Sequence, residues 1–377
     1  LQEKISTDDK CIWFHAASLG EFEQGLPVIE EIKDLFPTHK IVLTFFSPSG
    51  YEVRKNTKAA DVVIYLPLDT PKNAKKFIKI VRPELVFFIK YEYWPNYLNE
   101  LKKKEIPTFL ISGIFRNNQL FFKWYGGFYR KALDAFHHFF VQNSSSKELL
   151  LQLNKINVTV SGDTRFDRVA SILEKDNTLD FIQDFKNNTL TVVIGSSWPK
   201  DEELLANFIN SSTHKIKFIF APHLVKEEQI ADLKKSIQKK TILFSEVQSG
   251  HNVSLSEYDV FIADTIGILT KIYSYADIAY VGGGLGTAGL HNILEPATFG
   301  VPVLIGPNYS NFAEAIALVN LKGCISISNQ KELNEALENL IRNEDIRAEK
   351  GHICSTFVQM NQGAVAVIKK HITGLSI

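Results

Sequence analysis

Short apolar runs alternate with amphipathic segments along almost the whole chain, and this alternation most limits what the chain can fold into. Within residues 21–36, for example, Phe22, Leu26 and Ile29 fall on one helical face. Continuous apolar strands separated by helices predict a parallel sheet covered on both faces. The predicted strands of the first half are residues 11–16, 40–46, 61–66, 84–90, 107–112, 138–142 and 158–161.

The pattern pauses at residues 166–189, which are polar and lack a strand-like run, and then restarts. Two helices, near residues 344–357 and 364–372, are predicted to close the chain. The sequence therefore predicts an α/β protein of two doubly wound domains, with ligands bound beyond the carboxyl ends of the strands and in a cleft between domains. The predicted strands of the second half are residues 190–195, 217–221, 241–244, 258–263, 277–281, 301–305 and 323–327.

Composition agrees with a globular protein of this size. The chain has 377 residues, enough for two domains, of which 45% are apolar and 22% charged. The formal net charge is zero, but the first half is mildly basic, which suits an anionic partner or is ordinary surface variation. Cys11, Cys324 and Cys354 are far apart in the sequence and form no C-x-x-C pair, which argues against a disulfide framework or a zinc ribbon. No run reaches the roughly 18 apolar residues of a membrane-spanning helix.

The segment Ala17-Ser18-Leu19-Gly20-Glu21 directly follows the first predicted strand. Glu21 is thereby placed in the first turn of a helix, where the helix dipole favours an ionised carboxylate. Such a carboxylate at a cleft is suited to act as general base toward a sugar hydroxyl. The alternative is an acidic residue that only decorates a helix N-terminus.

A glycine-rich segment, residues 282–289, follows a predicted strand and is predicted to open a helix, presenting backbone N–H groups to a phosphate. Residues 284–289 match G-x-G-x-x-G, but the next strand ends in Gly-Pro-Asn at 306–308 without an acidic residue, which argues against a nicotinamide cofactor. Asn292 and Glu295 lie three residues apart, on one face of the predicted first turn, and are suited to bind a ribose diol. A helix-start carboxylate is the alternative for Glu295.

Three further turns are candidate ligand contacts. Residues 264–267 and 195–197 each follow a strand, and their amides could bind a phosphate or a base edge, or form plain turns. Arg165, in the segment 162–167, could neutralise a phosphate or a sugar carboxylate, or form a surface or hinge ion pair. The sequence contains no D-x-D, H-E-x-x-H, G-x-S-x-G or Walker motif, which predicts metal-independent chemistry with a monophosphate leaving group.

Taken together, several blocks resemble 3-deoxy-D-manno-octulosonic acid (Kdo) transferases, the inverting glycosyltransferases that begin the inner core of lipopolysaccharide. The resemblance runs from about residue 11 to the C-terminus, in order and with matching spacing. The blocks are S-L-G-E at 18–21, S-P-S-G at 47–50, Y-E-Y-W-P-N at 91–96, G-D-T-R-F-D at 162–167, D-T-I-G at 264–267, H-N-I-L-E at 291–295 and G-P-N at 306–308.

The resemblance implies a GT-B type fold, with two Rossmann-like domains facing a central cleft. It implies an acceptor-binding domain at residues 1–168 and a CMP-Kdo-binding domain at 169–377, with the last helix packing back on the N-terminal domain. CMP-Kdo is the implied donor and lipid IVA the implied acceptor. A GT-B glycosyltransferase or epimerase that uses another nucleotide sugar is the alternative. We expect no metal, no cofactor and no nucleic-acid partner.

The resemblance also implies roles for particular residues. Glu21 matches the general base of the family, and Arg165 falls where the family has a basic residue that stabilises the transition state. The implied nucleotide contacts, together with the glycine loop, are Pro222, His223, Ile266, Gly267, Ile268, Gly284, Gly286, Asn292, Ile293, Leu294 and Glu295. Further candidate acceptor or donor contacts are Ser18, Gly20, Ser49, Gly50, Lys90 and Glu92.

Three positions depart from the family pattern. Many members have arginine at His223, an acidic residue at Ile268 and glutamate at Lys90. A constant positive charge is thereby replaced by a titratable one at His223, and Lys90 cannot inherit the stabilising role of a glutamate.

The resemblance places the protein at the cytoplasmic face of the bacterial inner membrane, and it implies that a short hydrophobic anchor precedes the residues given. One segment suits a membrane surface independently of the resemblance. Residues 115–140 contain ten aromatic residues, with Arg116, Lys123, Arg130 and Lys131 interleaved. The alternative is that these aromatic residues are simply core.

Overall fold

The computed structural model describes residues 4–250 and 254–374, which form two compact units. One unit comprises Leu1–Arg168 together with Asn361–Ile377, and the other comprises Val169–Met360. Within the described residues each unit holds one seven-stranded sheet, and all neighbouring strands are parallel. Helices separate most consecutive strands, so the prediction of two doubly wound α/β domains is confirmed.

The sheet of the first unit has the strand order β3-β2-β1-β4-β5-β6-β7. Its strands are β1 (Cys11–Ala16), β2 (Lys40–Phe45), β3 (Val62–Tyr65), β4 (Pro83–Ile89), β5 (Thr108–Gly113), β6 (His138–Val141) and β7 (Val158–Val160). The accompanying helices are α1 (Leu19–Leu35), α2 (Pro48–Arg54), α3 (Pro71–Val81), α4 (Pro95–Lys103), α5 (Gly127–Ala132), α6 (Ser144–Gln152) and α7 (Thr164–Ala170).

The sheet of the second unit has the order β10-β11-β9-β8-β12-β13-β14. Its strands are β8 (Thr191–Ser197), β9 (Lys217–Pro222), β10 (Thr241–Leu243), β11 (Val260–Ile262), β12 (Ile278–Val281), β13 (Val303–Ile305) and β14 (Cys324–Ser326). Its helices are α8 (Asp180–Lys186), α9 (Pro199–Ser211), α10 (Glu227–Ser236), α11 (Phe244–Gln248), α12 (Leu269–Ile272), α13 (Leu294–Thr298), α14 (Ala313–Asn320), α15 (Gln330–Arg342) and α16 (Glu344–Met360).

Both faces of the first sheet are buried. Along β1, Trp13 points into one apolar cluster, while Ile12 and Phe14 point into the cluster on the other face. The indole of Trp13 lies 4.8 Å from the ring of Phe77, which comes from α3. This two-sided burial is why β1 reads as a continuous apolar run and not as an alternating one.

The last described helix, α17 (Ala364–Thr373), belongs to the first unit. Ile368 and Ile372 join the apolar cluster that also contains residues of α1. The carboxylate of Asp167 accepts hydrogen bonds from the backbone N–H groups of Gly363 and Ala364, at 2.9 and 3.2 Å, and so satisfies donors at the start of α17. None of the helices in the described residues is long and apolar enough to cross a bilayer.

Each sheet has a topological switch point, where two neighbouring strands are followed by connections that run in opposite directions. In the first unit this point lies between β1 and β4, and in the second it lies between β8 and β12. Loops that leave neighbouring strands in opposite directions open a crevice beyond their carboxyl ends, where open α/β sheets bind ligands. The residues that follow β1, β4, β8 and β12 are therefore the candidate site residues.

Candidate functional site

Glu21 lies just beyond the carboxyl end of β1, in the first turn of α1. The backbone N–H of Ser18, the residue that caps this helix, donates to Oε2 of Glu21 at 3.0 Å. The backbone N–H of Glu21 is 3.5 Å from the hydroxyl of Ser18, so the two residues form a capping box. The helix start thus holds the carboxylate in one orientation, directly after the strand.

The surroundings of Glu21 favour its protonated form. The residue is 9% exposed, and burial raises the pKa of its carboxyl to about 7, with the charge of Glu92 acting in the same direction. Hydrogen bonds from the backbone of Ala17 and Ser18 and the positive charge of Lys90 oppose that rise in the pKa. The expectation that the helix start would favour an ionised carboxylate is therefore outweighed by burial. A carboxyl with a pKa near neutrality is suited to accept a proton at physiological pH.

Glu92, which follows β4, is 7% exposed and takes part in a buried polar chain. Its Oε2 accepts from Nε1 of Trp94 at 2.6 Å and lies 3.0 Å from Nε2 of His15. The other ring nitrogen of His15 lies 2.8 Å from the hydroxyl of Thr44, which also accepts from Nε1 of Trp13. Glu92 was expected to contact substrate, and the structure shows Oε2 of this residue held by the protein itself.

Lys90 and Tyr91 connect β4 to Glu92. The backbone of Lys90 has a φ of 64°, in the left-handed region that a non-glycine residue rarely adopts. The ammonium of Lys90 lies 4.9 Å from the ring centre of Tyr91, and the guanidinium of Arg116 lies 5.7 Å from it. Two cations therefore flank one aromatic ring at the carboxyl end of β4.

Arg165 lies at the start of α7 and is held by its own domain. Its Nε and Nη2 atoms lie 2.9 and 2.8 Å from Oδ2 of Asp163. The other oxygen of Asp163 accepts from Nε2 of Gln24 at 2.7 Å. Gln24 lies one turn after Glu21 on α1, so Arg165 is linked to the helix that carries the candidate base. The ion pair that the sequence left open as an alternative is therefore present.

Four small residues near Glu21 were further candidates, and they differ in their surroundings. A Cβ on Gly50 would lie 2.3 Å from the ring of Phe45, so this glycine allows α2 to pack closely. No atom lies within 4 Å of a Cβ built on Gly20. The hydroxyl of Ser49 is 2.7 Å from that of Ser47, and Ser18 caps α1.

In the second unit, the glycine-rich loop 282–289 follows β12. A Cβ on Gly284 would lie 2.8 Å from the backbone nitrogen of Gly306, so this glycine allows two loops to pack. The backbone and side-chain nitrogens of Asn308 donate to the carbonyl groups of Gly284 and Gly286, each at 3.0 Å. The prediction that this loop directly opens a helix is wrong, because α13 begins only at Leu294 and has five residues.

Asn292 and Glu295 lie together, as their spacing predicted. Nδ2 of Asn292 donates to Oε1 of Glu295 at 3.2 Å, and the hydroxyl of Thr270 donates to Oε2 at 2.9 Å. Asn292 precedes the helix and accepts from the backbone N–H of Leu294 at 3.1 Å. Ile293 and Leu294 are buried and anchor the segment. An exposed amide beside a held carboxylate is suited to bind two neighbouring hydroxyls.

His223 belongs to a stack of three rings that sequence reasoning missed. Its imidazole lies 4.7 Å from the Trp198 ring and 4.4 Å from that of His291. Nε1 of Trp198 donates to Nε2 of His291 at 3.1 Å. Burial lowers the pKa of His223, and burial together with the charge of His223 lowers the pKa of His291 to about 4. Burial therefore shifts both imidazoles toward the neutral form.

A signal for Trp198 and His291 was present in the sequence. Trp198 directly follows Gly195-Ser196-Ser197, which form the end of β8 and not a turn after it. His291 comes two residues after the last glycine of the loop. The two segments meet because β8 and β12 are neighbouring strands, which the sequence did not reveal.

The remaining predicted nucleotide contacts lie after β9 and β11. Pro222 ends β9, and the backbone N–H of His223 donates to the carbonyl of Ser197 at 3.0 Å. In the loop after β11, Ile266 is 86% exposed and Gly267 has a φ of 97°, a conformation that favours glycine. Ile268 immediately precedes α12. Across residues 4–250 and 254–374, no cluster of three histidine, cysteine or acidic side chains could hold a metal ion.

A family model and individual relatives identify the same family. The family described as 3-deoxy-D-manno-octulosonic-acid transferase (kdotransferase) matches residues 1–168. The 3-deoxy-D-manno-octulosonic acid transferase of Chlamydia trachomatis serovar D is 30% identical over 397 residues, which cover 99% of this chain and 88% of that protein. The enzyme of that name from Haemophilus influenzae is 27% identical, over 94% of this chain and 84% of the relative.

Solved structures share the fold at low identity. UDP-GlcNAc 2-epimerase from Neisseria meningitidis has a TM-score of 0.67 and 16% identity, over 97% of this chain and all of that one. MurG of Acinetobacter baumannii has a TM-score of 0.60 and 12% identity, with 97% and 100% of the two chains covered. With two Rossmann-like sheets and these neighbours, the fold is of the GT-B type, as predicted.

Proposed function

The chain belongs to the 3-deoxy-D-manno-octulosonic acid transferase family, and we propose that it transfers Kdo from CMP-Kdo to lipid IVA, with inversion at the anomeric carbon. In this reaction the oxygen of an acceptor hydroxyl attacks the anomeric carbon of Kdo. The bond from that carbon to the phosphate oxygen breaks, CMP leaves, and the hydroxyl proton passes to a base.

The position and the raised pKa of Glu21 are the main support for this proposal. Its carboxylate is held at the carboxyl end of β1 by the capping box with Ser18, and burial raises its pKa to about 7. A base with such a pKa is present in its active form near neutral pH and is strong enough to assist the attack of a hydroxyl. Glu21 also occupies the position that the family resemblance gives to the general base.

The donor nucleotide is assigned to the second unit. We assign the ribose of CMP to Asn292 and Glu295, whose amide and carboxylate lie 3.2 Å apart and end in an exposed position. Backbone amides of the loops at 264–267 and 282–289 are assigned to the phosphate. Arg165, oriented by Asp163, is assigned to negative charge that develops in the transition state.

A surface on the first unit supports action at a membrane. Of the ten aromatic residues between 115 and 140, Phe115, Phe121, Phe136, Phe139 and Phe140 are buried, so part of the segment is core. Phe122 is partly buried and packs against the core. The four exposed rings, which we call the aromatic patch, are those of Trp124, Tyr125, Phe128 and Tyr129.

Trp124 is 90% exposed, and Arg116 and Lys131 are exposed nearby in sequence. Aromatic and basic side chains together favour the headgroup region of an anionic bilayer. We therefore assign the aromatic patch to the cytoplasmic face of the inner membrane, where a lipid acceptor would be met.

The identity of the donor nucleotide tests the proposal without requiring the acceptor. Calorimetry should show that CMP binds and that UMP binds at least about tenfold more weakly, since a site built for cytosine leaves polar groups unpaired with uracil. Tighter binding of UMP or UDP than of CMP would instead favour a transferase or epimerase that uses another nucleotide sugar.

A further inference from the structure

A second carboxylate lies at the same sheet edge as Glu21. Glu21 follows β1 and Glu92 follows β4, and these two strands are adjacent and parallel, with His15 opposite Phe88 in the register. Both residues therefore lie at the topological switch point of the sheet. Glu92 is more buried than most acidic residues, at 7% exposure, so its position there needs a reason.

The side chains of Trp94 and of the buried His15 hold the carboxylate of Glu92. Nε1 of Trp94 is always a donor, and it lies 2.6 Å from Oε2. Nε2 of the fully buried His15 lies 3.0 Å from the same oxygen, and Thr44 fixes the far side of the His15 ring at 2.8 Å. A chain of this kind restricts the position of a carboxylate more than packing alone does.

Three ionisable groups that interact with Glu21 come from the segment after β4. They are Glu92 and Lys90, which act on it with opposite sign, and Tyr91, whose phenol also interacts with Glu21. The basicity of Glu21 is therefore raised by burial and by the negative charge of Glu92. It is lowered by the backbone hydrogen bonds of Ala17 and Ser18 and by the positive charge of Lys90.

We propose that Glu92 is a positioning residue whose negative charge, held by His15 and Trp94, makes Glu21 a stronger base. Glu92 does not take the proton itself in this scheme. Its anionic charge makes removal of a proton from Glu21 less favourable, so the carboxylate of Glu21 binds a proton more strongly. The inference rests on the proposed role of Glu21 as general base, but the electrostatic coupling can be measured without any turnover.

The direct test is a titration of the side-chain carboxyl carbons in glutamate-labelled protein by NMR, with the Glu21 signal assigned by its loss in Glu21→Gln. In Glu92→Gln the side chain keeps its shape and loses its charge, so the midpoint of Glu21 should fall by about one pH unit. The acidic limb of kcat/KM should move by the same amount. An unchanged midpoint of Glu21 in Glu92→Gln would overturn the inference, whatever the activity.

The chain offers a matched control at the opposite end of the same strand. Glu84 also lies against a histidine, with Oε2 at 2.8 Å from Nε2 of His39. Glu84→Gln removes a charge from the same sheet and should leave the midpoint of Glu21 where it is. An equal shift in Glu84→Gln would show a general effect of net charge and would contradict a specific role for Glu92.

A second variant keeps the test decisive if Glu92→Gln does not fold. Glu92→Asp retains the charge and should keep the midpoint of Glu21 within about half a unit. A normally active Glu21→Gln enzyme would remove the base assignment, while the titrations would still report the coupling.

Discussion

Glu21 shows how one residue satisfies two demands. Its carboxylate completes a capping box with Ser18, an ordinary structural task, and it is buried at a strand end, where an ionised group is costly. Sequence reasoning found the residue because S-L-G-E follows a strand. It did not foresee the direction of the pKa, because burial and the charge of Glu92 arise from tertiary contacts.

Replacing Glu21 with glutamine should separate these two tasks. The amide oxygen still accepts from the N–H of Ser18, so the helix start is kept, but the base is lost. Turnover should therefore fall by roughly 100-fold or more, with CMP affinity nearly unchanged in calorimetry. The exposed Glu30 on the same helix provides the control, since Glu30→Gln should retain normal turnover. Near-normal turnover in Glu21→Gln would exclude the assignment.

The raised pKa of Glu21 predicts a pH profile. The protonated form persists up to about pH 7, so the fraction of active base falls as the pH is lowered through that value. The rate constant kcat/KM should therefore drop about tenfold per pH unit below 7. Steady-state kinetics across pH 5–8 test this, and a flat profile down to pH 5 would be inconsistent with Glu21 as the base.

Glu295 tests the nucleotide site independently of catalysis. Glu295→Ala removes the acceptor that Asn292 and Thr270 orient, so CMP binding should weaken by roughly 1–3 kcal/mol through lost charge-assisted hydrogen bonds. Glu203→Ala, at an exposed position on α9, should leave CMP binding unaltered. Calorimetry that gives equal affinities for both variants would argue against the ribose assignment.

At the scale of elements, the sequence predicted strands well and short helices poorly. Strands such as β1 and β9 are buried on both faces, so their continuous apolar runs are visible without any knowledge of the fold. Helices such as α12 and α13, of four and five residues, are too short to show a period. The glycine loop was misjudged for a related reason, because a G-x-G-x-x-G match does not reveal that Gly284 packs against Gly306.

The residues of the candidate site divide in the same way, into those that the sequence pairs and those that only the fold brings together. Asn292 and Glu295 could be paired from the sequence because they are three residues apart, whereas the stack of Trp198, His223 and His291 joins residues from three separate strand ends. The lowered pKa of His223 could not be predicted from the sequence either, because it follows from burial. Long-range contacts of this kind cannot be predicted from a single sequence.

The aromatic patch is the element whose role is tested most simply. Trp124→Ala combined with Phe128→Ala removes two exposed rings and should lower binding to vesicles that contain anionic lipid by roughly tenfold or more. Ile156→Ala is the matched control, since Ile156 is an exposed apolar residue of the same unit outside the patch. Sedimentation with vesicles gives the measurement, and equal binding of both variants would contradict the membrane assignment.

At the scale of the whole molecule, each of the two parallel sheets places a set of polar groups at its topological switch point. The first unit supplies a carboxylate with a raised pKa, and the second supplies an amide and a carboxylate beside a glycine loop. We propose these groups as the base and the nucleotide site of a sugar transferase. Membership of the Kdo transferase family gives the sugar, and the chemistry of these groups fits its transfer.

The measurement that tests the central claim most directly is mass spectrometry of lipid IVA after incubation with the protein and CMP-Kdo. The account predicts a lipid heavier by at least one Kdo residue, formed with release of CMP, and loss of that product in Glu21→Gln. The reaction should proceed equally in the presence of EDTA. An unchanged lipid in the presence of folded, CMP-binding protein, or a product that requires added Mg²⁺, would contradict it.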